Sequence, residues 1–286
     1  MRPLTLVLTV MSLAASWLAA GQDQVFRSRV DMVAVYPLAS GPDGRLLTDL
    51  RRGDFTVLDN GRPVEIEVFS NDRQPITPAL LLDMSESMAD RWMRVRTAAL
   101  QFVDVLGAAD RVRIGSFGAE VALSPHLTSN KTLLSRILHE ELWPGSSTPL
   151  WRAIGAGMQS LATESGRRTI AVVTDGVDTS SASRETVVER ALRERFMIYA
   201  IGLEGKGLNP RLVELIGQTG GGHFNLKRQD DLGVTFLRVA EELRHQYLIG
   251  FTPAQLDGQA HSLEVRVNRP GAVVRAPNLF IAPVRK

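Results

Sequence analysis

Short runs in which every residue is apolar mark the middle of the chain, at residues 79–82, 170–173 and 197–201. Such runs are typical of parallel strands that helices cover on both faces. Apolar residues at helical spacing predict amphipathic helices between and after these runs. The clearest helical faces are Trp92, Val95, Ala99, Phe102 and Leu106, and Leu232, Phe236, Val239, Ala240 and Leu243. This alternation predicts a doubly wound, mostly parallel α/β sheet.

The stretches on either side of this region have strand patterns instead. Residues 64–69 and 263–267 alternate apolar and charged side chains, as half-buried strands do. Asn60-Gly61, which follows the apolar run 55–58, is a strong signal for a hairpin turn. Neither stretch is large enough to be stable alone. We therefore predict that both combine in one small all-β sandwich.

These patterns set the domain boundaries that we predict. The β-sandwich is built from residues 22–75 and 246–286, and the α/β domain is inserted between them as residues 76–245. A chain of 286 residues has room for one or two domains of about 100–200 residues. With 44% hydrophobic and 22% charged residues, the composition excludes wholesale disorder and a collagen-like fibre.

Residues 1–21 predict a secretory signal peptide. Arg2 precedes an apolar stretch from Leu4 to about Ala20, and the stretch ends in small residues. We expect cleavage after Ala20 or Gly21, and the alternative is an uncleaved membrane anchor. No later stretch reaches the roughly 18 continuous apolar residues of a spanning helix. We therefore expect an exported protein, periplasmic or secreted, with no stable membrane span after cleavage.

The charge and cysteine content of the chain limit which partners and which kinds of site it can have. Lys and Arg total 33 against 31 Asp and Glu, a net charge of +2, and this balance argues against nucleic acid as the partner. The chain has no Cys, which excludes disulfides, thiolate metal sites and a Cys nucleophile. Its five His residues lack the spacing of metal ligands. Any metal site must therefore be built from oxygen ligands.

Oxygen-rich segments follow two of the predicted strands. The strand at 79–82 leads into residues 83–88, and the strand at 170–173 leads into residues 174–176. A third such loop, residues 145–149, precedes a predicted helix. In open α/β sheets, ligands bind beyond the carboxyl ends of strands, where the strand order reverses. If the three loops meet there, their carboxylates and hydroxyls suit a hard cation, Mg²⁺ first, with Mn²⁺ or Ca²⁺ as alternatives.

Each of these residues also has a simpler interpretation. Asp83 and Ser85 could cap the helix that follows near Asp90, and Asp175-Gly176 alone could form an ordinary turn. The residues that would line the rim of the metal site are Met84, Glu86, Trp151 and Gly176. For Trp151, helical spacing also fits plain core packing.

Taken together, the site positions resemble a known motif. Asp83-x-Ser85-x-Ser87, then Thr148, then Asp175, resembles the metal-ion-dependent adhesion site (MIDAS) of von Willebrand factor A-type (VWA) domains. All five positions are occupied in the expected order. The resemblance covers the α/β stretch and implies a VWA fold, which is Rossmann-like.

A narrower resemblance covers nearly the whole mature chain. The segments Phe55-Thr56-Val57, Asp59-Asn60-Gly61, 80–88 and 245–253 resemble the exported VWFA-related family common in Acidobacteria. That resemblance bears on architecture and implies no activity.

The VWA resemblance implies a role for each site residue. Ser85 and Ser87 would ligate the metal directly, Thr148 directly or through water, and Asp83 and Asp175 mostly through metal-bound waters. A metal held by neutral hydroxyls keeps much of its positive charge. Its open position can then accept an Asp or Glu carboxylate from a partner protein. Binding without turnover follows, because no candidate base or nucleophile adjoins the motif.

Two other functions remain open from the sequence. A metal-assisted phosphohydrolase of the haloacid-dehalogenase type also carries an Asp after its first strand, but it needs a second acid where this chain has Ser85. A structural subunit of an envelope assembly, with a metal that serves only stability, is the other alternative. The identity of the partner and the oligomeric state are not predicted.

Overall fold

The structure is a computed structural model that describes residues 31–176, 178–179, 184–203 and 207–284. The predicted signal peptide, residues 1–21, lies outside the described residues. Within the described part, the strands are β1 (Val33–Val35), β2 (Leu38–Ser40), β3 (Phe55–Asp59), β4 (Arg62–Val64), β5 (Val68–Ser70), β6 (Pro78–Asp83), β7 (Arg113–Phe117), β8 (Val121–Leu123), β9 (Arg168–Thr174), β10 (Phe196–Leu203), β11 (His223–Leu226), β12 (Leu248–Phe251), β13 (Ala260–Val267), β14 (Val273–Arg275) and β15 (Leu279–Ile281). The α-helices are α1 (Trp92–Asp104), α2 (Lys131–Glu140), α3 (Leu150–Ser160), α4 (Arg184–Arg193), α5 (Pro210–Thr219) and α6 (Leu232–Arg244).

Six strands form the central sheet, in the order β11-β10-β9-β6-β7-β8. All neighbours are parallel except the edge strand β8, which is antiparallel to β7. Within this sheet, β6 comes first in the sequence, and β7 and β8 are added on one side of it. The chain then crosses to the other side of β6 and forms β9. The strand order therefore reverses between β6 and β9, and the predicted doubly wound, mostly parallel sheet is confirmed.

The apolar strands are buried on both faces because successive side chains point to opposite sides. Leu80 and Leu82 of β6 pack in one core with α1, α2 and α6. Ala79 and Leu81 pack in a second core with α3, α4 and α5. Each fully buried Leu contributes roughly 2 kcal/mol of transfer free energy. The two cores thus hold a three-layer α/β/α unit with α1 on one face and α4 on the other.

The two flanking segments combine in antiparallel sheets. One sheet has the order β1-β12-β5, a second has β15-β13-β3-β4, and β14 pairs with β2. Their inner faces share one core, which includes Val57, Ile249, Phe251 and Phe280. N-terminal strands thus pair with C-terminal strands, as the predicted β-sandwich requires.

The hairpin prediction is confirmed, and the prediction of one strand at 64–69 is wrong. Asn60 and Gly61 both have positive φ angles, 49° and 76°, as a two-residue turn between β3 and β4 requires. The alternating run is divided between β4, which pairs with β3, and β5, which pairs with β12. The chain leaves one sheet at Val64 and enters the other at Val68.

Candidate metal-binding site

Asp83 ends the central strand β6, beside the point where the strand order reverses. Its side chain is fully buried, and its carboxylate accepts two hydrogen bonds from other residues. Thr174, the last residue of β9, donates from Oγ1 to Oδ2 over 2.6 Å, and the Ser85 amide donates to Oδ1 over 2.9 Å. The ends of two neighbouring parallel strands are thereby joined through this carboxylate.

Ser85 and Ser87 lie in the loop that follows. Ser85 is buried, whereas Ser87 is exposed, and their Oγ atoms lie 3.1 Å apart. Ser85 stands at the N-cap position of a short 3-10 helix, residues 86–91, but its side chain does not cap that helix. The capping interpretation therefore does not account for Ser85, whose hydroxyl faces Ser87 instead.

The second loop is held against the first by its backbone. The Gly145 amide donates to the Met84 carbonyl over 3.0 Å, and Gly145 pairs with Ser85 as an isolated parallel bridge. Gly145 also lies against the backbone of Ala119. A Cβ atom at residue 145 would lie 1.6 Å from the Ala119 nitrogen, so only glycine allows this close approach to Ala119. Ser147 in the same loop donates to the Gly118 carbonyl over 2.6 Å.

Thr148 connects the second loop to the third. Its amide donates to Thr179 Oγ1 over 2.7 Å, and its carbonyl accepts from the Thr179 amide over 3.0 Å. Asp178 accepts a hydrogen bond from the amide of Leu150, at the start of α3, over 3.1 Å. These three hydrogen bonds bring the loop of Thr148 to the loop that carries Asp175.

The buried position of Asp83 is electrostatically unfavourable for an ionised carboxyl. Burial raises the pKa of the Asp83 carboxyl, hydrogen bonds from Ser85 and Thr174 oppose that effect, and the nearby charge of Asp175 adds to it. Within the described residues, Asp83 forms no ion pair. A buried carboxylate without a cationic partner is costly, so these residues fit a bound cation.

The types of donor atom limit which cations this site can bind. The described part of the chain contains no group of three or more His, Cys, Asp or Glu side chains that could hold a metal. The candidate site instead combines two carboxylates with the hydroxyls of Ser85, Ser87 and Thr148. Such oxygen donors suit hard divalent ions.

The residues predicted for the rim occupy different environments. Glu86 is exposed beside Ser87, whereas Gly176 is buried in the third loop. Met84 and Trp151 are each less than 4% exposed, and Trp151 packs in the core formed with α3. The core packing that the helical spacing of Trp151 indicated is therefore observed, and the Met84 side chain is buried as well.

Several residues that hold the loops together were missed by sequence reasoning. Thr174 directly precedes Asp175, and its hydroxyl also accepts the Gly176 amide over 3.1 Å. Its position beside an acid at a strand end was the available signal. Gly118, Asp178 and Thr179 carried none, because their contacts join loops that are distant in the sequence.

Fold and site together define a class of protein, one with an open α/β sheet and oxygen-rich loops where the strand order reverses. The family model for the von Willebrand factor type A domain matches residues 79–236. The chain belongs to this family.

Solved structures share the fold at low sequence identity. A von Willebrand factor type A protein from Catenulispora acidiphila is 12% identical, with a TM-score of 0.53, over 87% of this chain and 75% of that one. Proximal thread matrix protein 1 from the mussel byssus, with a zinc-occupied MIDAS motif, is 17% identical, with a TM-score of 0.50, over 63% of this chain and 48% of that one. No curated protein matches the chain. None of the helices in the described residues is both long and apolar enough to cross a membrane.

Proposed function

We propose that this protein is an exported module that binds a partner protein through a divalent metal ion, and that the ion is Mg²⁺. Ser85 and Ser87 hold the ion directly through their hydroxyl oxygens, Thr148 holds it directly or through water, and Asp83 and Asp175 hold it mostly through water. The ion supplies positive charge at a point where it can accept an Asp or Glu carboxylate of the partner. The module binds its partner without turnover.

The observation that carries this proposal is the meeting of three oxygen-rich loops around a buried carboxylate. Asp83 is joined to Thr174 and Ser85, Ser85 is paired with Gly145, and Thr148 is bonded to Thr179. The mussel protein of the same fold has a zinc-occupied MIDAS motif, which supports a divalent ion at this position. Neutral hydroxyl ligands leave that ion much of its charge.

The surface beside the site supports a protein as the partner. Trp143 is 70% exposed and lies two residues before Gly145, which contacts the first loop. Exposed Trp side chains are frequent anchors at the centre of protein interfaces. The metal would supply specificity for an acidic side chain, and Trp143 would supply apolar contact area.

Titration of Mg²⁺ into Ser87→Ala tests the ligand assignment. We expect the affinity for Mg²⁺ to fall at least about tenfold, a change of about 1.4 kcal/mol. The free energy of unfolding in EDTA should stay within about 0.5 kcal/mol, because Ser87 is exposed. Isothermal titration calorimetry and urea unfolding measure the two quantities.

The matched control is Ser135→Ala, which removes a hydroxyl from α2 and should leave Mg²⁺ binding unchanged. If Ser87→Ala binds Mg²⁺ as tightly as the unmodified chain, the assignment is refuted.

Capture of the partner from a native envelope extract tests the function itself. The partner should bind the immobilised chain in Mg²⁺, elute with EDTA, and fail to bind Ser87→Ala. A partner that stays bound in EDTA would instead assign the metal a structural role and contradict metal-mediated binding.

A further inference from the structure

A cavity lies at the amino ends of the strands of the central sheet, where the β-sandwich meets the α/β unit. It is partly open to solvent, and its lining is mostly apolar. The start of β10, the end of α4 and strands β1 and β15 surround it. Its apolar wall includes Val35, Leu192, Met197, Leu279 and Phe280. This wall could accommodate the hydrocarbon part of a ligand.

The polar part of the cavity is positively charged. Arg167 and Arg195 both line it, and none of the described lining residues is acidic. No carboxylate of a described residue forms an ion pair with either guanidinium. The neighbouring Arg168, in contrast, lies 3.9 Å from Glu194. The cavity therefore combines an apolar wall with two arginines that form no ion pair with a described carboxylate, the half-buried Arg167 and the exposed Arg195.

One hydrogen-bond donor of Arg167 has no acceptor among the described residues. Its Nη1 donates to Gln246 Oε1 over 2.7 Å, and its guanidinium lies 5.6 Å from the centroid of the Tyr36 ring. Its Nη2 is buried and has no hydrogen-bond partner. Burial lowers the pKa of this guanidinium. A buried charged donor without an acceptor is costly, and a bound anion would remove that cost.

Arg195 occupies an unfavourable backbone conformation. It follows α4 with a φ of +57°, in the left-handed region where helix ends usually carry Gly or Asn. A long side chain in this region costs stability, and such strain is concentrated at functional sites. Arginine at this position places a second guanidinium at the cavity, which glycine would not do.

We propose that this cavity binds a small organic carboxylate with a short apolar body. The carboxylate accepts hydrogen bonds from the guanidinium groups of Arg167 and Arg195, whose planar donors match a carboxylate well. The apolar body lies against Leu279, Phe280 and their neighbours. This site is separate from the proposed metal site, which lies at the carboxyl ends of the strands.

Calorimetric titration of the full chain with hexanoate tests the proposal, with hexan-1-ol as the uncharged probe of the same length. We expect one hexanoate per chain and at least about tenfold weaker binding of the alcohol, because the charge-assisted hydrogen bonds are lost. Equal affinity for both compounds, or no binding of hexanoate, would overturn the proposal.

Arg195→Gly separates ligand binding from folding. Glycine adopts the left-handed conformation without strain, so we expect an unchanged or raised melting temperature together with at least about tenfold weaker hexanoate binding. Arg167→Gln should weaken binding similarly. Arg193→Gln removes an exposed arginine at the end of α4 that pairs with Glu189, and this variant should bind hexanoate like the unmodified chain. Undiminished binding by Arg195→Gly would contradict the assignment, even if Arg167→Gln fails to fold.

Discussion

At the scale of single residues, the candidate site depends on side chains that are not themselves proposed ligands. Thr174 donates to Asp83 and accepts from the Gly176 amide, so one hydroxyl orients a carboxylate and the start of the third loop. Gly145 permits a backbone approach that any Cβ atom would block. Supporting residues of this kind commonly change metal affinity by 10–100-fold when they are replaced.

Thr174→Val tests the first of these roles. The substitution keeps the shape of the side chain but leaves Asp83 Oδ2 without its donor, and a buried charged group without a partner is costly. We expect about 2 kcal/mol less free energy of unfolding in EDTA and Mg²⁺ affinity at least about tenfold weaker. Urea unfolding and calorimetry measure both. Thr132→Val, on the exposed face of α2, is the control, and equal results for the two variants would contradict the role of Thr174.

Gly145→Ala tests the second role. The added methyl group would meet the backbone at Ala119, so the second loop must shift from its position between Ala119 and Ser85. We expect a loss of about 3 kcal/mol of stability and strongly weakened Mg²⁺ binding in the same assays. Gly53→Ala, which has no atom within 4 Å of the added Cβ, should change neither. Normal metal binding by Gly145→Ala would show that this approach is dispensable.

At the scale of elements, Asp110 joins the end of α6 to the start of β6. Its carboxylate accepts hydrogen bonds from the Ile76 amide at 2.9 Å, the Gly107 amide at 2.8 Å and Arg244 Nη2 at 2.7 Å. Burial alone raises the pKa of this carboxyl, but the hydrogen bonds from Arg244, Ile76 and Gly107 outweigh it and hold the pKa below its usual value. Folding therefore favours the ionised form of Asp110.

The stability of the chain should consequently depend on this carboxylate at low pH. A lowered pKa in the folded state contributes stability above the unfolded pKa, near 3.9, and that contribution is lost as pH falls through the folded pKa. We expect Asp110→Asn to lose about 2 kcal/mol at pH 7 and to depend less on pH below about 4. Urea unfolding from pH 3 to 7 measures this. The control is Asp104→Asn, at the exposed end of α1, which should keep the pH dependence of the unmodified chain. If the stability of Asp110→Asn depends on pH in the same way as that of the unmodified chain, the prediction is wrong.

At the scale of the whole molecule, a buried polar cluster joins the β-sandwich to the α/β unit. Glu242 of α6 is buried and forms ion pairs with Arg275 of β14 and with Arg238. Arg275 also donates to the hydroxyl of Tyr199 in β10 over 2.8 Å. Three elements from both parts of the chain therefore meet at one carboxylate.

Arg275→Met should destabilise the whole molecule, because it leaves a buried carboxylate with one partner fewer. We expect a loss of about 3 kcal/mol. Glu242→Gln combined with Arg275→Met should recover at least about 1 kcal/mol relative to the sum of the single variants. Chemical unfolding of the four proteins measures this coupling, and additive losses would show that the two residues act independently.

Sequence patterns that arise within one element were sufficient for much of the fold. The apolar run of β6, the helical spacing in α1 and α6, and Asn60-Gly61 each reflect a local period or turn, so they could be predicted without knowing what packs against them. The strands of the sandwich were harder to predict from the sequence. The run at 64–69 divides between two sheets because of pairing with β3 and β12, which are distant partners.

The site shows the same division. The order of Asp83, Ser85, Ser87, Thr148 and Asp175 was visible in the chain, since the residues after strands β6 and β9 must emerge at one edge of a parallel sheet. Tertiary structure alone decided that Gly145 meets Ser85, that Thr174 holds Asp83, and that Arg167 and Arg195 share a cavity. These contacts depend on how separate loops and layers pack. The pattern of residues along the sequence does not specify the distance between elements that are far apart in the chain.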